Sequence, residues 1–299
     1  MKYREVSISE ICQLFNLEYI GNNVIINGLN LCNRKSAYSS ILGYTTSELF
    51  FDSIFMNQSV CALILTKENY DILKNRKELT NRPMAYILSN EPEILFYKIH
   101  NYLCREGVFY QNNIEKSIGD HCTIHPTVVI EDGVIIHDRV EIGPYSVIKK
   151  GTEIGDDTYI GCHTIIGEDG FQGIHGFKGH IYHAGGVSIG KGVSIGNNTC
   201  ICRSLFEGVT MIKDYCKIDN LVNISHNCVC GVFSTICVGS ILMGSSYVED
   251  NAYLAPGAML LNQKVVGKDA FVGSMSYVNK SVKPGSQVFG IPAKKLPQL

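Results

Sequence analysis

The residues best suited to chemistry lie on one line. His226 stands in the stretch Asn223-Ile224-Ser225-His226-Asn227, and steps of 18 residues from it reach Gly244, Asn262 and Lys280. An imidazole titrates near neutral pH and suits a general base. A glycine beside it has no side chain to cover its N–H, which can hold a developing oxyanion. The amide and the ammonium further along suit a polar ligand arm that ends in phosphate. Asp219, seven residues before His226, supplies a carboxylate able to orient the imidazole. Taken alone, His226 reads more simply as a satisfied surface histidine. The line through Gly244 turns the reading toward catalysis.

That line exists only if residues 18 apart stack, and the sequence says that they do. Isoleucine or a close substitute returns every sixth residue from Ile118 through Ile124, Ile130 and Ile136 to Ile166. A second series runs from Ile212 through Ile218, Ile224 and Cys230 to Val278, with Ile189, Ile195 and Ile201 between the two. This period fits neither a helix nor an isolated amphipathic strand and is the signature of a parallel β-helix of hexapeptide repeats. Three repeats close one triangular coil, and coils stack at about 4.8 Å. Lys280, three coils from His226, is then about 14 Å away, the reach of an extended pantetheine arm. Gly, Asp or Asn commonly follows the apolar residue, as at Gly119, Gly161, Gly196 and Asp219, and these are expected to take φ > 0 at the corners. Four residues after the apolar position the side chain is small, as at Thr158, Ser234 and Ala252.

Two breaks interrupt the rhythm. Ile166 and Ile189 are 23 residues apart, so a loop spanning 167–188 must leave the prism; Ile201 and Ile212 are 11 apart. Excursions from a repeat scaffold are common places for binding residues. The first carries His175, His180 and His183, a spacing that a metal could use, but no carboxylate or cysteine joins them at a recognisable interval, and no metal is expected. His121, His125, His137 and His163 are expected at the surface.

Residues 1–105 lack the hexad and read as a small α/β domain, followed by the β-helix over 106–299. Ser7 caps a helix reaching Phe15, Val24–Ile26 and Ala62–Leu65 read as strands, and Ile94–Cys104 has helical spacing. The formal net charge of -2 offers no reason to expect nucleic acid. No signal peptide or bilayer-spanning stretch is apparent, which suits a cytoplasmic enzyme with no membrane span. Of the 12 cysteines none forms a Cys-x-x-Cys pair; Cys122, Cys216 and Cys228 fill small slots and Cys230 an apolar one, so structural thiols are expected.

The whole chain resembles the UDP-3-O-acylglucosamine N-acyltransferase family of lipid A synthesis. The similarity rests on Asp169-Gly170-Phe171, Ile218-Asp219-Asn220, Ile224-Ser225-His226-Asn227, Met243-Gly244-Ser245 and the Gly-Ile-Pro at 290–292. It implies a left-handed prism, a homotrimer with sites between subunits, and an N-terminal domain that holds the nucleotide base. It also implies His226 as base, Gly244 as oxyanion donor and Asp219 as their carboxylate. Asp169, Gly170, Phe171 and Tyr44 become candidates for the substrate, with Phe50 and Phe51 beside Tyr44. Asn262 and Lys280 become candidates for the thioester arm. The departures matter too. Gln263 replaces the family's second histidine, and the family's long C-terminal helix for acyl carrier protein has no counterpart before Leu299. The ending Gly290-Ile291-Pro292-Ala293-Lys294 instead resembles nucleotide-sugar N-acetyltransferases that use coenzyme A, of the kind that serve polysaccharide biosynthesis. The expectation is therefore transfer of a short acyl group, or a 3-hydroxyacyl group, from acyl-coenzyme A to the amine of a nucleotide-linked amino sugar. The alternatives are the lipid A enzyme with its carrier-protein donor and a non-catalytic sugar-nucleotide binding trimer. A hexapeptide carbonic anhydrase is a weaker rival, since it needs zinc histidines.

Overall fold

The computed structural model describes all residues except 1, 4, 35, 37, 77–81, 106–109, 112–113, 207 and 296–299. The chain forms two compact units, one of Met1–Asn112 with Phe171–Ala184, the other of Asn113–Gly170 with Gly185–Leu299. The boundary expected at 105/106 borders residues outside the described set. The middle of the excursion packs with the first unit.

In the second unit three sheets wind along the chain, each strand up to Tyr277–Val278 pairing in parallel with the strand three further on, and the second face ends with Phe271–Val272 beside Gln287–Phe289 and an antiparallel Lys294–Lys295. The first face holds strands such as Ile135–Ile136 and Val229–Cys230, the second Lys217–Ile218 and Thr235–Ile236, the third Asn223–Ile224, Ile241–Leu242 and Met259–Leu260. Register is that of the hexad: Ile224 lies opposite Leu242, Leu242 opposite Leu260 and Leu260 opposite Val278. The inward residues Ile148, Ile154, Ile160, Ile224, Leu242 and Leu260 are all 0% exposed and make one continuous core. Burying each contributes at most about 2–3 kcal/mol. The small slot is filled as the pattern requires, and its hydroxyls tie neighbouring coils. Ser146 Oγ donates to the Gly161 carbonyl at 2.7 Å and Thr164 Oγ1 to the Gly196 carbonyl at 2.7 Å.

One expectation about the corners is overturned. The left-handed residues sit three places after the inward apolar residue, as at Leu221 (φ 59°), Phe233 (φ 56°) and Ser245 (φ 60°), and not at the glycine that follows it. That glycine is needed for space. A Cβ on Gly196 would lie 2.6 Å from the backbone of Asp219 and Asn220, and one on Gly161 2.8 Å from the Gly196 carbonyl carbon. The next coil's backbone crosses there, and only hydrogen fits.

Both breaks are accommodated between strands. Ile154 pairs with Ile189 across the first and Ile189 with Ile212 across the second, so inward stacking resumes in phase. Strand structure extends to Glu168 and restarts at Gly186, so the excursion is shorter at each end than the expected 167–188. Cys216, Cys228 and Cys230 are 0% exposed in the prism core, and none of the twelve cysteines is in a disulfide. His121, His125, His137 and His163 are exposed.

The first unit has a five-stranded sheet in the order Tyr19–Gly21, Ala85–Leu88, Val60–Leu65, Ile41–Tyr44, Gly28–Leu29, parallel except at its first pair. Helix α1 (Ile8–Phe15) starts at Ser7, whose side chain forms a reciprocal capping box with Glu10. Helices α2 (Phe51–Met56) and α3 (Lys67–Leu73) pack Phe51, Ile54 and Leu73 against Leu63 and Leu65. Helix α4 (Pro92–Arg105) covers the expected helical stretch and holds the excursion. Asn101 Nδ2 donates to the His180 carbonyl at 2.8 Å, and the Tyr182 N–H donates to Asn101 Oδ1 at 3.0 Å. Among the described residues no helix is long and apolar enough to cross a membrane.

Candidate active site

The register brings His226, Gly244, Asn262 and Lys280 to one corner on successive coils, each two places after an inward residue of the third face. The backbone continues the stack: the Ser245 N–H donates to the His226 carbonyl at 2.9 Å and the Gln263 N–H to that of Gly244 at 3.2 Å. His226 is only 8% exposed, and its ring lies across Gly244. The position a Cβ would occupy on Gly244 is 2.6 Å from Nε2 and 2.7 Å from Cε1. Glycine here makes room for the imidazole as well as leaving the main chain bare.

Among the described residues the Gly244 N–H meets no acceptor. At the equivalent place on other corners an Asp or Asn from the next coil takes this donor, as when Asp250 Oδ1 accepts from Val232 N–H at 2.8 Å or Asn220 Oδ1 from Asn197 N–H at 2.7 Å. The exposed Asn262 and Lys280 side chains likewise make no hydrogen bond or ion pair among the described residues. A buried imidazole edge beside an unused N–H, with an amide and an ammonium along the same corner, can accept a proton, steady a negative oxygen and bind a polar arm.

Asp219 does not fill the orienting role expected of it. It follows the second face, a corner away from His226. Its Oδ1 accepts from the Asn220 N–H at 2.7 Å and its Oδ2 from the Val238 N–H at 3.2 Å. The acceptor opposite His226 Nδ1 is instead Asn227 Oδ1 at 2.9 Å. A seven-residue step crosses a corner of the prism, which spacing alone did not reveal.

Asp169 and the buried Gly170 stand where the excursion leaves the prism. The Asp169 N–H donates to Glu168 Oε1 at 2.9 Å, and its carboxylate lies 3.6 Å from Nε of the buried Arg203. Burial pushes the Glu168 carboxyl up, but that N–H and the Lys149 ammonium at 3.0 Å outweigh it and leave the group below its ordinary value. Asp169 thus clasps the root of the excursion to the second break, where Arg203 sits.

Phe171 and Tyr44 belong to the first unit. Phe171 is 93% exposed. Tyr44 ends the strand Ile41–Tyr44 and lines a cleft of about 60 Å³ with Leu31, Cys32, Asn33, Thr45, Thr46 and Phe50. Burial, then the bond from its hydroxyl to Glu93 Oε1 at 2.6 Å, holds the phenol above the ordinary tyrosine range, so it stays neutral. Phe51 is 0% exposed in the core and offers no face to a ligand. Among the described residues no three His, Cys, Asp or Glu side chains converge as a metal site.

The Bacterial transferase hexapeptide (six repeats) family model matches residues 116–150 and 133–168. A UDP-3-O-acylglucosamine N-acyltransferase from Campylobacter lari is 31% identical over 309 aligned residues, which cover 95% of this chain and 92% of that protein. A UDP-3-O-acylglucosamine N-acyltransferase 2 from Legionella pneumophila is 39% identical over 118 residues, 39% of this chain. That match spans about a third (34%) of the relative's length, as does one to a Methylorubrum extorquens protein that is 37% identical. The solved UDP-N-acetylglucosamine acyltransferase from Bacteroides fragilis superposes with a TM-score of 0.54 at 21% identity, covering 61% of this chain and 70% of that one. At that identity the likeness is one of fold, the left-handed β-helix.

Proposed function

The chain belongs to the UDP-3-O-acylglucosamine N-acyltransferase family, and from that premise we propose that it moves an acyl group from a phosphopantetheine thioester to the amine of a nucleotide-linked amino sugar. His226 Nε2 takes a proton from the amine as nitrogen attacks the thioester carbonyl. The Gly244 N–H holds the tetrahedral oxyanion. The thiolate leaves and takes back the proton from the imidazolium. An amine is nucleophile enough that no covalent enzyme intermediate is needed. The observation that carries this reading is the His226 ring lying across Gly244, whose N–H has no acceptor among the described residues.

Asn262 and Lys280 would hold the thioester arm along the same corner. The cleft beside Tyr44 and Phe50 would take the nucleotide base, and Asp169, Gly170 and Phe171 are the further candidates for the substrate that the family resemblance implies. A homotrimer with sites between subunits is supported by the outward side chains of the third face. Val129, Val147, Ile165, Cys200, Ile241, Met259 and Tyr277 are apolar, Asn223 alone of the paired row is polar, and no residue of that outward row is charged. The resemblance of the segment 290–294 to coenzyme A enzymes favours acyl-coenzyme A and a short chain. The Campylobacter lari relative, aligned over nearly its full length, favours a second reading, N-acylation of a UDP-3-O-acylglucosamine, for which the family resemblance implies a carrier-protein donor.

Mass spectrometry of products from a panel of amino-sugar nucleotides, each offered acyl-coenzyme A and 3-hydroxyacyl carrier protein, separates the two. Changing His226 to Ala should lower turnover by about 10²–10⁴-fold while leaving the assembly intact. Near-normal turnover in that variant sinks the mechanism.

A further inference from the structure

We propose that Asn227 is a positioning residue that selects the tautomer of His226, and that Ser204 in turn fixes Asn227; the inference rests on His226 being the base. Four contacts define the Asn227 environment. Its Oδ1 lies 2.9 Å from His226 Nδ1, and the same oxygen accepts from the Leu205 N–H at 3.2 Å. Its Nδ2 donates to Ser204 Oγ at 2.6 Å, and its own N–H donates to Thr210 Oγ1 at 2.9 Å.

These contacts remove the usual ambiguity of an amide's orientation. The Leu205 N–H can only donate, so the atom it faces must be the amide oxygen. That oxygen can only accept, so His226 Nδ1 must carry a proton. A neutral ring with Nδ1–H has its lone pair on Nε2, the atom that lies against Gly244. The amide of Asn227 therefore turns the basic nitrogen toward the oxyanion donor. Asn227 reaches this place with φ at 60°, a conformation that Asn tolerates and most residues resist.

The second break in the hexad has a purpose in this arrangement. Ser204 and Leu205 both fall between Ile201 and Ile212, where the chain leaves the repeat, and Ser204 is 0% exposed. A regular coil would carry an inward-pointing repeat through this segment. The irregular one places a hydroxyl and an N–H on either side of one amide.

The test uses imidazole-¹⁵N-labelled protein without substrate, at about pH 8.5, well above the ordinary imidazole range. His226 is assigned by subtraction of a His226→Gln spectrum. The wild-type ring should show a single Nδ1–H tautomer. Asn227→Gly keeps the left-handed backbone but removes the amide, and should give mixed tautomers. With UDP-3-O-acylglucosamine and a 3-hydroxyacyl-coenzyme A, that variant should lose about 10–100-fold in kcat, part of the whole worth of a general base, with KM within about threefold. Asn227→Asp retains an acceptor and should recover most of the loss, while Ser204→Ala should show the tautomer mixing in smaller measure. An unchanged tautomer in Asn227→Gly overturns the proposal, and so does full kcat in Asn227→Gly when His226→Gln is inactive. An active His226→Gln would instead sink the reading of His226 as base, so the two failures are distinct.

Discussion

A methyl group on Gly244 would sit 2.6 Å from His226 Nε2, closer than real Cβ contacts allow, so one of the two must move. The obstacle is the end of a side chain rather than backbone, and the fold can yield. Gly244→Ala should therefore melt within a few degrees of wild type yet lose about 10²–10³-fold in kcat, the cost that the proposed roles of Gly244 as oxyanion donor and His226 as base predict. Circular dichroism melting beside steady-state kinetics checks both halves, and a loss of fold in step with activity would count against the assignment. The adjacency of His226 and Gly244 was legible in the sequence because a repeat of 18 residues converts spacing into adjacency. Asn227 was not legible as a partner of Nδ1. Its left-handed backbone belongs to the corner, and its anchor Ser204 comes from a segment with no period. Asp219 misled for a related reason: nearness in sequence is not nearness around a prism.

The coil is the element that positions everything else, and its tightest points are the glycines after the inward residues. Gly196 faces the backbone of Asp219 and Asn220, which cannot rotate away as an imidazole can. Gly196→Ala should cost about 1–3 kcal/mol, read as a melting temperature lower by about 3–10 °C, with a turnover defect no larger than the stability loss explains. The same contrast accounts for the corner expectation that failed. Glycine was read as a source of positive φ, whereas Leu221, Phe233 and Ser245 adopt that conformation and the glycines supply closeness. Composition could suggest that glycine matters at this step, but only the stacked backbones show which of its two properties is used.

At the scale of the molecule, the third face presents an outward row that is apolar except at Asn223 and carries no charge to discourage association, as a face covered by other copies of the chain would. Ile241 lies in the middle of that row, on the strand that leads to Gly244. Ile241→Glu should convert the proposed trimer to monomers in sedimentation experiments and abolish turnover without unfolding the protein, since the side chain points away from the core. A monomeric wild type, or a trimeric variant with full activity, would refute sites shared between subunits.

The sequence by itself determined the architecture of the prism, its inward residues, the positions of both breaks and the line from His226 to Lys280. It could do so because a strictly repeating backbone makes three-dimensional neighbours a matter of counting. The tertiary structure decided what counting cannot reach. It turned the His226 ring across Gly244, gave the proton on Nδ1 an amide for its partner, sent Asp219 to another corner and bound part of the excursion to α4. Each of these depends on side-chain direction or on a segment outside the repeat, where contacts are set by packing and hydrogen bonding rather than by period.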